Sequence, residues 1–333
     1  MSNEKITTLH LGANLGNLLT KMVGDVKKDM YMSSVETMLS EGDASLMKND
    51  DHLIKVNGTY YLCGENDVTA DDIDRRPIET LHVLTCFGIA RQLVSKKSNF
   101  TRTGNFRFNK CDVNIVLGLC IDEYKVKTNI DMLYDEFDNK TFDIEYMGIK
   151  FKAVLNLIDV LPEGFCHYQV NYEDYANYRS IFLLDCGSKT WDMCKIINGR
   201  VRQPDSKDYG TLDVMKDIIK VITNENPKTK VNLTDVELML RNGSVSVGKQ
   251  TFNREDFKEL IDTKSHTSLT LVNNLYKHEV ESSNLIIGFG GGINLVKDSL
   301  HNMFGEMTEI KILENPEYTN AQAYYEASFQ DEE

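Results

Sequence analysis

Apolar and polar positions follow one another along this chain in short blocks, and the block lengths separate strands from helices. Ile6–Leu11, Cys111–Leu119, Val154–Leu161, Ile181–Leu184 and Asn284–Phe289 are apolar runs of buried-strand length. Apolar residues at helical spacing mark Pro77–Leu93, through Leu81, Leu84, Phe87, Ile89 and Leu93, with a proline in the first turn. The same spacing recurs at Leu212, Met215, Ile218, Ile219 and Ile222. Helices are also predicted over Leu233–Leu240, over Glu255–Ile261, near Leu269–Tyr276 and from about Val296. Asn57-Gly58, Met147-Gly148 and Asn198-Gly199 read as hairpin turns, and Gly243–Phe252 as a further hairpin.

Length and composition bound this picture. A chain of 333 residues is about two domains' worth, and 41% hydrophobic content suffices for real cores. With 5 prolines and no Pro/Ser/Gly-rich linker, the domains are expected to be packed or interleaved. The net charge of −14 argues against direct, non-specific binding to nucleic acid or anionic membrane, both of which need a positive field. No apolar run approaches the ~20 residues of a membrane span, and MSNEKITTLHLG has no basic segment leading into a long apolar core. A cytoplasmic protein is therefore expected. The 7 cysteines include no C-x-x-C pair, which predicts reduced, buried thiols in place of a zinc site or disulfide frame.

Candidate chemistry gathers where strands end. Ile181–Leu184 stops at Asp185-Cys186-Gly187-Ser188-Lys189-Thr190, which puts a carboxylate, a glycine and two hydroxyls in one turn. Such a turn can point N–H groups at phosphate while its Asp holds a hydrated cation, or it can be an ordinary hairpin connection. Ile6–Leu11 runs into a second small-residue turn, Gly12-Ala13-Asn14-Leu15-Gly16-Asn17. Val154–Leu161 delivers Pro162-Glu163-Gly164, where Glu163 either orients an attacking water or is a solvated turn residue. Gly210-Thr211 opens the helix that carries Leu212, and there Thr211 either helps to hold an anion or is a plain N-cap. Gly290-Gly291-Gly292 joins a buried strand to a helix and removes the side chains that would keep a phosphate or flat ring off the backbone. Neither G-x-x-x-x-G-K-[ST] nor G-x-G-x-x-G fits the chain.

In this order the segments resemble the actin/sugar-kinase ATPase superfamily, and within it the bacterial actin-like plasmid-segregation proteins of the ParM/StbA type. The resemblance rests on LHLGANLGN, VNIVLGLCIDEY, VLPEGF, LLDCGSKT, YGTLDVMKDI, LIIGFGGGINL and NPEYTNAQAYY, and it spans nearly the whole chain. It implies an α/β, actin-like fold of two related domains, each with a mixed five-stranded sheet, helices and a small insertion, and a nucleotide cleft between them. Domain I would comprise residues 1–162 and about 308–333, with an insertion over about 32–76. Domain II would be 163–307, with an insertion over about 192–262. The resemblance also implies an NTPase that takes ATP or GTP with Mg²⁺, polymerises into a filament of its own copies and moves plasmid DNA through a DNA-binding adaptor on the plasmid centromere. Glu163 would position the hydrolytic water and Asp185 would hold the metal through water. Gly12, Asn14, Gly16 and Asn17 would form one phosphate loop, with Gly187, Ser188, Lys189 and Thr190 forming the other. Gly210, Thr211 and Asp213 would stand near the ribose, and Gly290, Gly291, Gly292 and Ile293 behind the base and ribose.

Two departures bear on activity. His10 stands where the family's first loop has Asp, and Asn17 where it has a phosphate-binding Lys; Lys21 or Lys189 would have to restore that charge. They motivate an alternative, a structural or regulatory pseudo-ATPase of the same fold. A sugar kinase on this fold gains no support, because no sugar-site Asp is recognisable.

Overall fold

The computed structural model describes residues 6–37, 42, 44, 47, 50–64 and 77–329. Its chain divides into two compact units. Unit 1 holds residues 1–119, 123–162 and 320–333, and unit 2 holds residues 120–122 and 163–319.

Unit 1 is built on a nine-stranded sheet in the order β3-β2-β1-β7-β9-β8-β5-β6-β4. Its strands are β1 (Ile6–Leu15), β2 (Leu19–Gly24), β3 (Lys28–Met32), β4 (Val35–Thr37), β5 (Leu53–Val56), β6 (Thr59–Cys63), β7 (Lys110–Leu119), β8 (Thr141–Tyr146) and β9 (Ile149–Pro162). Before the chain crosses to unit 2, the α-helices among its described residues are α1 (Ile78–Ser95), α2 (Ile121–Tyr124), which starts in unit 2, and α3 (Lys127–Phe137). β1, β7 and β9 pair in parallel, while β1, β2 and β3 form an antiparallel meander. In β7, KCDVNIVLGL, buried Cys111, Val113 and Ile115 alternate with half-buried neighbours, and burial becomes continuous over Ile115–Leu117. α1 covers the sheet with Val83, Leu84, Phe87, Ile89 and Leu93, as its spacing predicts.

Unit 2 repeats this plan with five strands in the order β12-β11-β10-β15-β16. Its elements are α4 (Cys166–Val170), β10 (Ser180–Cys186), β11 (Trp191–Ile197), β12 (Arg200–Lys207), α5 (Leu212–Glu225), α6 (Leu233–Asn242), β13 (Ser244–Val247), β14 (Gln250–Asn253), α7 (Lys258–Glu281), β15 (Leu285–Phe289), α8 (Ile293–Phe304) and β16 (Glu309–Ile312). A final helix, α9 (Thr319–Ala327), returns the chain to unit 1. β10, β11 and β12 form an antiparallel meander, and β10, β15 and β16 are parallel. Each unit thus contains a three-strand meander whose first hairpin carries a small-residue turn.

Several expectations change. The hairpin β5–β6 pairs with β8, so the described part of the 32–76 insertion extends the main sheet of unit 1 to nine strands instead of standing apart. Residues 38–41, 43, 45, 46, 48, 49 and 65–76 of that stretch lie outside the described residues. β11 and β12 belong to the five-stranded sheet, so no insertion starts at 192. Residues 308–319, expected in domain I, belong to unit 2, because β16 pairs with β15. α8 begins at Ile293, three residues before Val296, and the stretch near Leu269–Tyr276 lies inside the 24-residue α7. None of the seven cysteines, all of them among the described residues, is in a disulfide, and all but the half-buried Cys120 are buried. Among the described residues no helix is long and apolar enough to cross a membrane.

Candidate functional site

In unit 2 every residue of β10 is buried, including Asp185 and Cys186, so the strand continues two residues beyond the apolar run. Burial pushes the Cys186 thiol well above its ordinary range, which keeps it protonated and unreactive. The turn that follows closes through the Gly187 N–H, which donates to the Thr190 carbonyl at 2.9 Å. A β-carbon on Gly187 would lie 2.5 Å from that oxygen, so the closure requires glycine.

The start of α5 lies directly on this turn. Gly210, Thr211 and Leu212 donate their N–H groups to the carbonyls of Lys189, Gly187 and Ser188 at 3.0, 3.3 and 2.8 Å. A β-carbon on Gly210 would stand 2.0 Å from the Ser188 oxygen. The amides of Gly210 and Thr211, expected to serve an anion, are therefore engaged by the turn, and the Thr211 side chain makes no cap. These bonds have a second effect. In a trans peptide the N–H points opposite to the preceding C=O, and no peptide here is cis. Drawing the carbonyls of residues 187–189 toward the helix turns the N–H groups of Ser188, Lys189 and Thr190 away from it. The half-buried turn thus directs these N–H groups to the side opposite α5, and backbone N–H groups of a turn so arranged can line an anion site. Asp213, in the first turn of α5, is exposed.

The glycine run braces the same turn. Gly290 has φ +85°, and a β-carbon there would lie 2.2 Å from Asp185 Oδ1. Its N–H donates to the Pro316 carbonyl at 2.9 Å, while Gly292 donates to the Cys186 carbonyl at 2.7 Å. A β-carbon on Gly292 would meet the Thr211 methyl at 2.5 Å, whereas one on Gly291 would meet nothing within 4 Å. Gly290 and Gly292 are fixed by the chain's own packing, and Gly291 is the one with open space before it. The Ile293 side chain is fully buried, against Gly288, so only its backbone is available to a ligand.

Glu163 is half-buried in the turn after β9. Next to it Gly164, at φ +75°, packs against Asp192, whose Cβ would be 3.0 Å from an added β-carbon. Asp192 is a residue that motif reading missed. It lies opposite Asp185 in the β10–β11 pairing and is 1% exposed. Its Oδ1 accepts from the Ile121 N–H at 2.8 Å and from the Ser206 hydroxyl, and its Oδ2 accepts from the Thr190 hydroxyl at 3.3 Å. Burial pushes its carboxyl up to about 6 against these stabilising hydrogen bonds. The available signal was a carboxylate inside the largely apolar strand WDMCKII, whose other charged residue is Lys195.

In unit 1 the first turn lies later than expected. β1 continues through Gly12, Ala13 and Asn14 to Leu15, and Asn14 pairs with Lys21 across the hairpin. Gly12 is a packing glycine: a β-carbon would lie 2.1 Å from the Ala321 carbonyl oxygen and 2.2 Å from the Tyr325 nitrogen of α9. The turn is centred on Gly16, with half-buried Asn17 beside it. Lys21 Nζ and Asn14 Oδ1 converge there, 3.1 and 3.2 Å from where a Gly16 β-carbon would be. Asn14 is 6% exposed, and its Oδ1 has no hydrogen-bond partner among the described residues. His10 stands elsewhere. Its ring stacks on Phe329 at 3.9 Å and 12°, and its Nδ1 is 3.1 Å from the Ser328 carbonyl oxygen. Asn14 and Lys21 are the polar side chains gathered at the turn.

No protein-family model and no curated protein matches the sequence. Solved structures match over nearly its whole length. The actin-like protein Alp7A superposes with a TM-score of 0.76 at 13% identity, over 98% of this chain and 97% of that one. A ParM from a 15-stranded Clostridium botulinum filament gives 0.72 at 19% identity, over 97% and 99%. The fold is actin-like. A third actin-like structure, Bacillus thuringiensis ParM with ATP, gives 0.68 at 14% identity, over 98% and 99%. In this actin-like chain LHLGANLGN and LLDCGSKT fall on the first hairpins of the two meanders, and the other segments of the resemblance fall on β7, the end of β9, α5, β15 with α8, and α9. The described residues hold no cluster of three His, Cys, Asp or Glu side chains that would cage a metal ion by themselves. Mg²⁺ commonly uses one or two carboxylates plus ligand phosphates, so Asp185 fits as a water-mediated partner.

Proposed function

We propose that the chain is an actin-like nucleoside triphosphatase that binds Mg-ATP or Mg-GTP, assembles with copies of itself into filaments and moves plasmid DNA through an adaptor protein. The observation that carries this reading is the turn at residues 187–190, whose carbonyls are held by the start of α5 so that its backbone N–H groups face the opposite side, where a phosphate can be received. The Thr190 and Ser188 hydroxyls and the Lys189 ammonium add donors at the same turn. Asn14, Gly16 and Lys21 form a polar turn of similar build in unit 1, and Lys21 supplies the positive charge that Asn17 lacks. Gly291 leaves room for a base or ribose against the backbone. Bound Mg²⁺ would neutralise phosphate charge, with Asp185 as its protein-side partner. Glu163 is the carboxylate that orients the attacking water, its backbone fixed by Pro162 and by Gly164 against Asp192. The ATP and filament named for the Bacillus and Clostridium structures support the choice of ligand and of self-assembly.

Light scattering and pelleting with Mg-ATP and with Mg-GTP test this reading, and electron microscopy of the pellet should show filaments. No assembly with either nucleotide would overturn it. The alternative, a pseudo-ATPase, is favoured by a neutral Asn14 at the first turn. Glu163→Ala separates the two: an NTPase loses phosphate release while it keeps assembling, whereas a pseudoenzyme shows no change.

A further inference from the structure

α7 is bent, and its sequence gives no local reason for it. Tyr276 stands at φ −123° and ψ 26°, outside the helical region. No Pro or Gly occurs in KELIDTKSHTSLTLVNNLYKHEVE, and its serines are at 265 and 268, well before the bend. Tyr276 is also the residue whose hydroxyl leaves the helix to donate to Asp205 Oδ2 on β12. Beyond the bend the last turn is pinned separately: buried Lys195 of β11 donates to the Glu279 carbonyl at 2.8 Å and to the Ser282 hydroxyl. Before it, Leu271 and Leu275 face solvent, 41% and 54% exposed.

Asp205 connects back to the phosphate-type turn. Its Oδ1 accepts from the Ser206 N–H at 3.0 Å, and its Oδ2 also meets Lys207 Nζ at 2.7 Å. The Ser206 hydroxyl donates to Asp192 Oδ1, and Asp192 Oδ2 accepts from the Thr190 hydroxyl at 3.3 Å. Thr190 closes the turn through its carbonyl. An unbroken line of hydrogen bonds therefore runs Thr190, Asp192, Ser206, Asp205, Tyr276, all within unit 2.

We propose that this line is a coupling device: Asp192, Ser206, Asp205 and Tyr276 are positioning residues that transmit the conformation of the turn at 187–190 to the bend in α7, and so re-aim the Leu271–Leu275 face on the outside of unit 2. A ligand at the turn acts on Thr190 directly. Any change in the Thr190 hydroxyl re-partitions Asp192 between Thr190, Ser206 and Ile121. The pinned last turn of α7 leaves Tyr276 as the point where the resulting shift is absorbed, in the way that a few residues at a helix bend absorb hinge motion. The inference rests on nucleotide binding at the turn.

Hydrogen exchange on the full chain, with and without Mg-ATP and Mg-GTP, tests it. In the wild type, nucleotide is expected to protect residues 187–190 and to change exchange in residues 272–280 by about fivefold or more. Tyr276→Phe removes one hydroxyl and keeps the ring; it should retain protection at 187–190 and lose the response in α7. Asp205→Asn is the second variant should Tyr276→Phe melt early, with the same expectation. A wild-type α7 that ignores nucleotide while 187–190 is protected overturns the coupling alone. So does an α7 response that persists unchanged in the variant. Absence of protection at 187–190 with both nucleotides overturns the functional reading, and the coupling with it.

Discussion

Asp192 spends stability to be where it is. Burial raises its carboxyl to about 6, above the ordinary value near 4 that it takes in the unfolded chain. Between those values the folded state holds a proton that the unfolded state has released. Its contribution to stability is therefore fullest below about pH 4, declines as pH rises to about 6 and is level beyond, a loss of at most about 3 kcal/mol. An amide in its place can accept from Ile121 and Ser206 and donate to Thr190. Asp192→Asn is thus expected to fold and to lack the decline between pH 4 and 6, which urea unfolding across that range measures. The glycine run separates structure from ligand contact at single positions. Gly290→Ala must take a left-handed φ, at about 1–3 kcal/mol, and also pushes on Asp185. Its Tm should fall by about 4 °C or more. Gly291→Ala should leave Tm unchanged and weaken nucleotide binding about tenfold, as read by thermal melts and a fluorescence titration. Asp185 and the glycines stand out in the sequence because those types are unusual at the end of an apolar run. Asp192 does not, because only the pairing of β10 with β11 shows that it faces into a buried network.

At the scale of elements, the hairpin β1–β2 shows where sequence reading fails. Gly12 and Gly16 look alike in GANLGN, and nothing local distinguishes the glycine that a helix packs on from the glycine at a turn. The distinction lies in α9, more than three hundred residues away in the chain. The same distant segment decides the surroundings of His10, which stacks on Phe329 just beyond α9. The corrected hairpin predicts two opposite outcomes. Asn14→Ala and Lys21→Ala should lower nucleotide affinity about tenfold, the scale of one hydrogen bond to a charged group, with little change in Tm. Gly12→Ala and His10→Ala should lower Tm by loosening α9 and leave affinity at the turn of unit 2 unaltered. Affinity and melting measured on the same four variants decide between them. Strands and helices themselves were legible, since apolar runs and helical spacing follow directly from burial. The bend of α7 was not, because its partner Asp205 is on another element.

At the scale of the molecule, the actin-like plan was legible through the order of weak motifs, none of which decides alone. The sheet of unit 1 was not, because pairing of β5 with β8 is a long-range choice that hairpin signals do not encode. A net charge of −14 opposes self-association at long range, so assembly should depend on ionic strength, with pelleting more complete at about 0.15 M salt than at about 0.01 M. The return of α9 to unit 1 has a consequence for the order in which the chain acquires its structure. Residues 163–319 of unit 2 are continuous and need only the short segment 120–122 from upstream, which supplies the Ile121 N–H to Asp192. Everything unit 2 requires has therefore been synthesised by the time residue 319 leaves the ribosome. Unit 1 must wait, because the grooves over Gly12 and Gly118 stay open until residues 321–325 arrive to fill them. The half that is translated first is the half that is finished last.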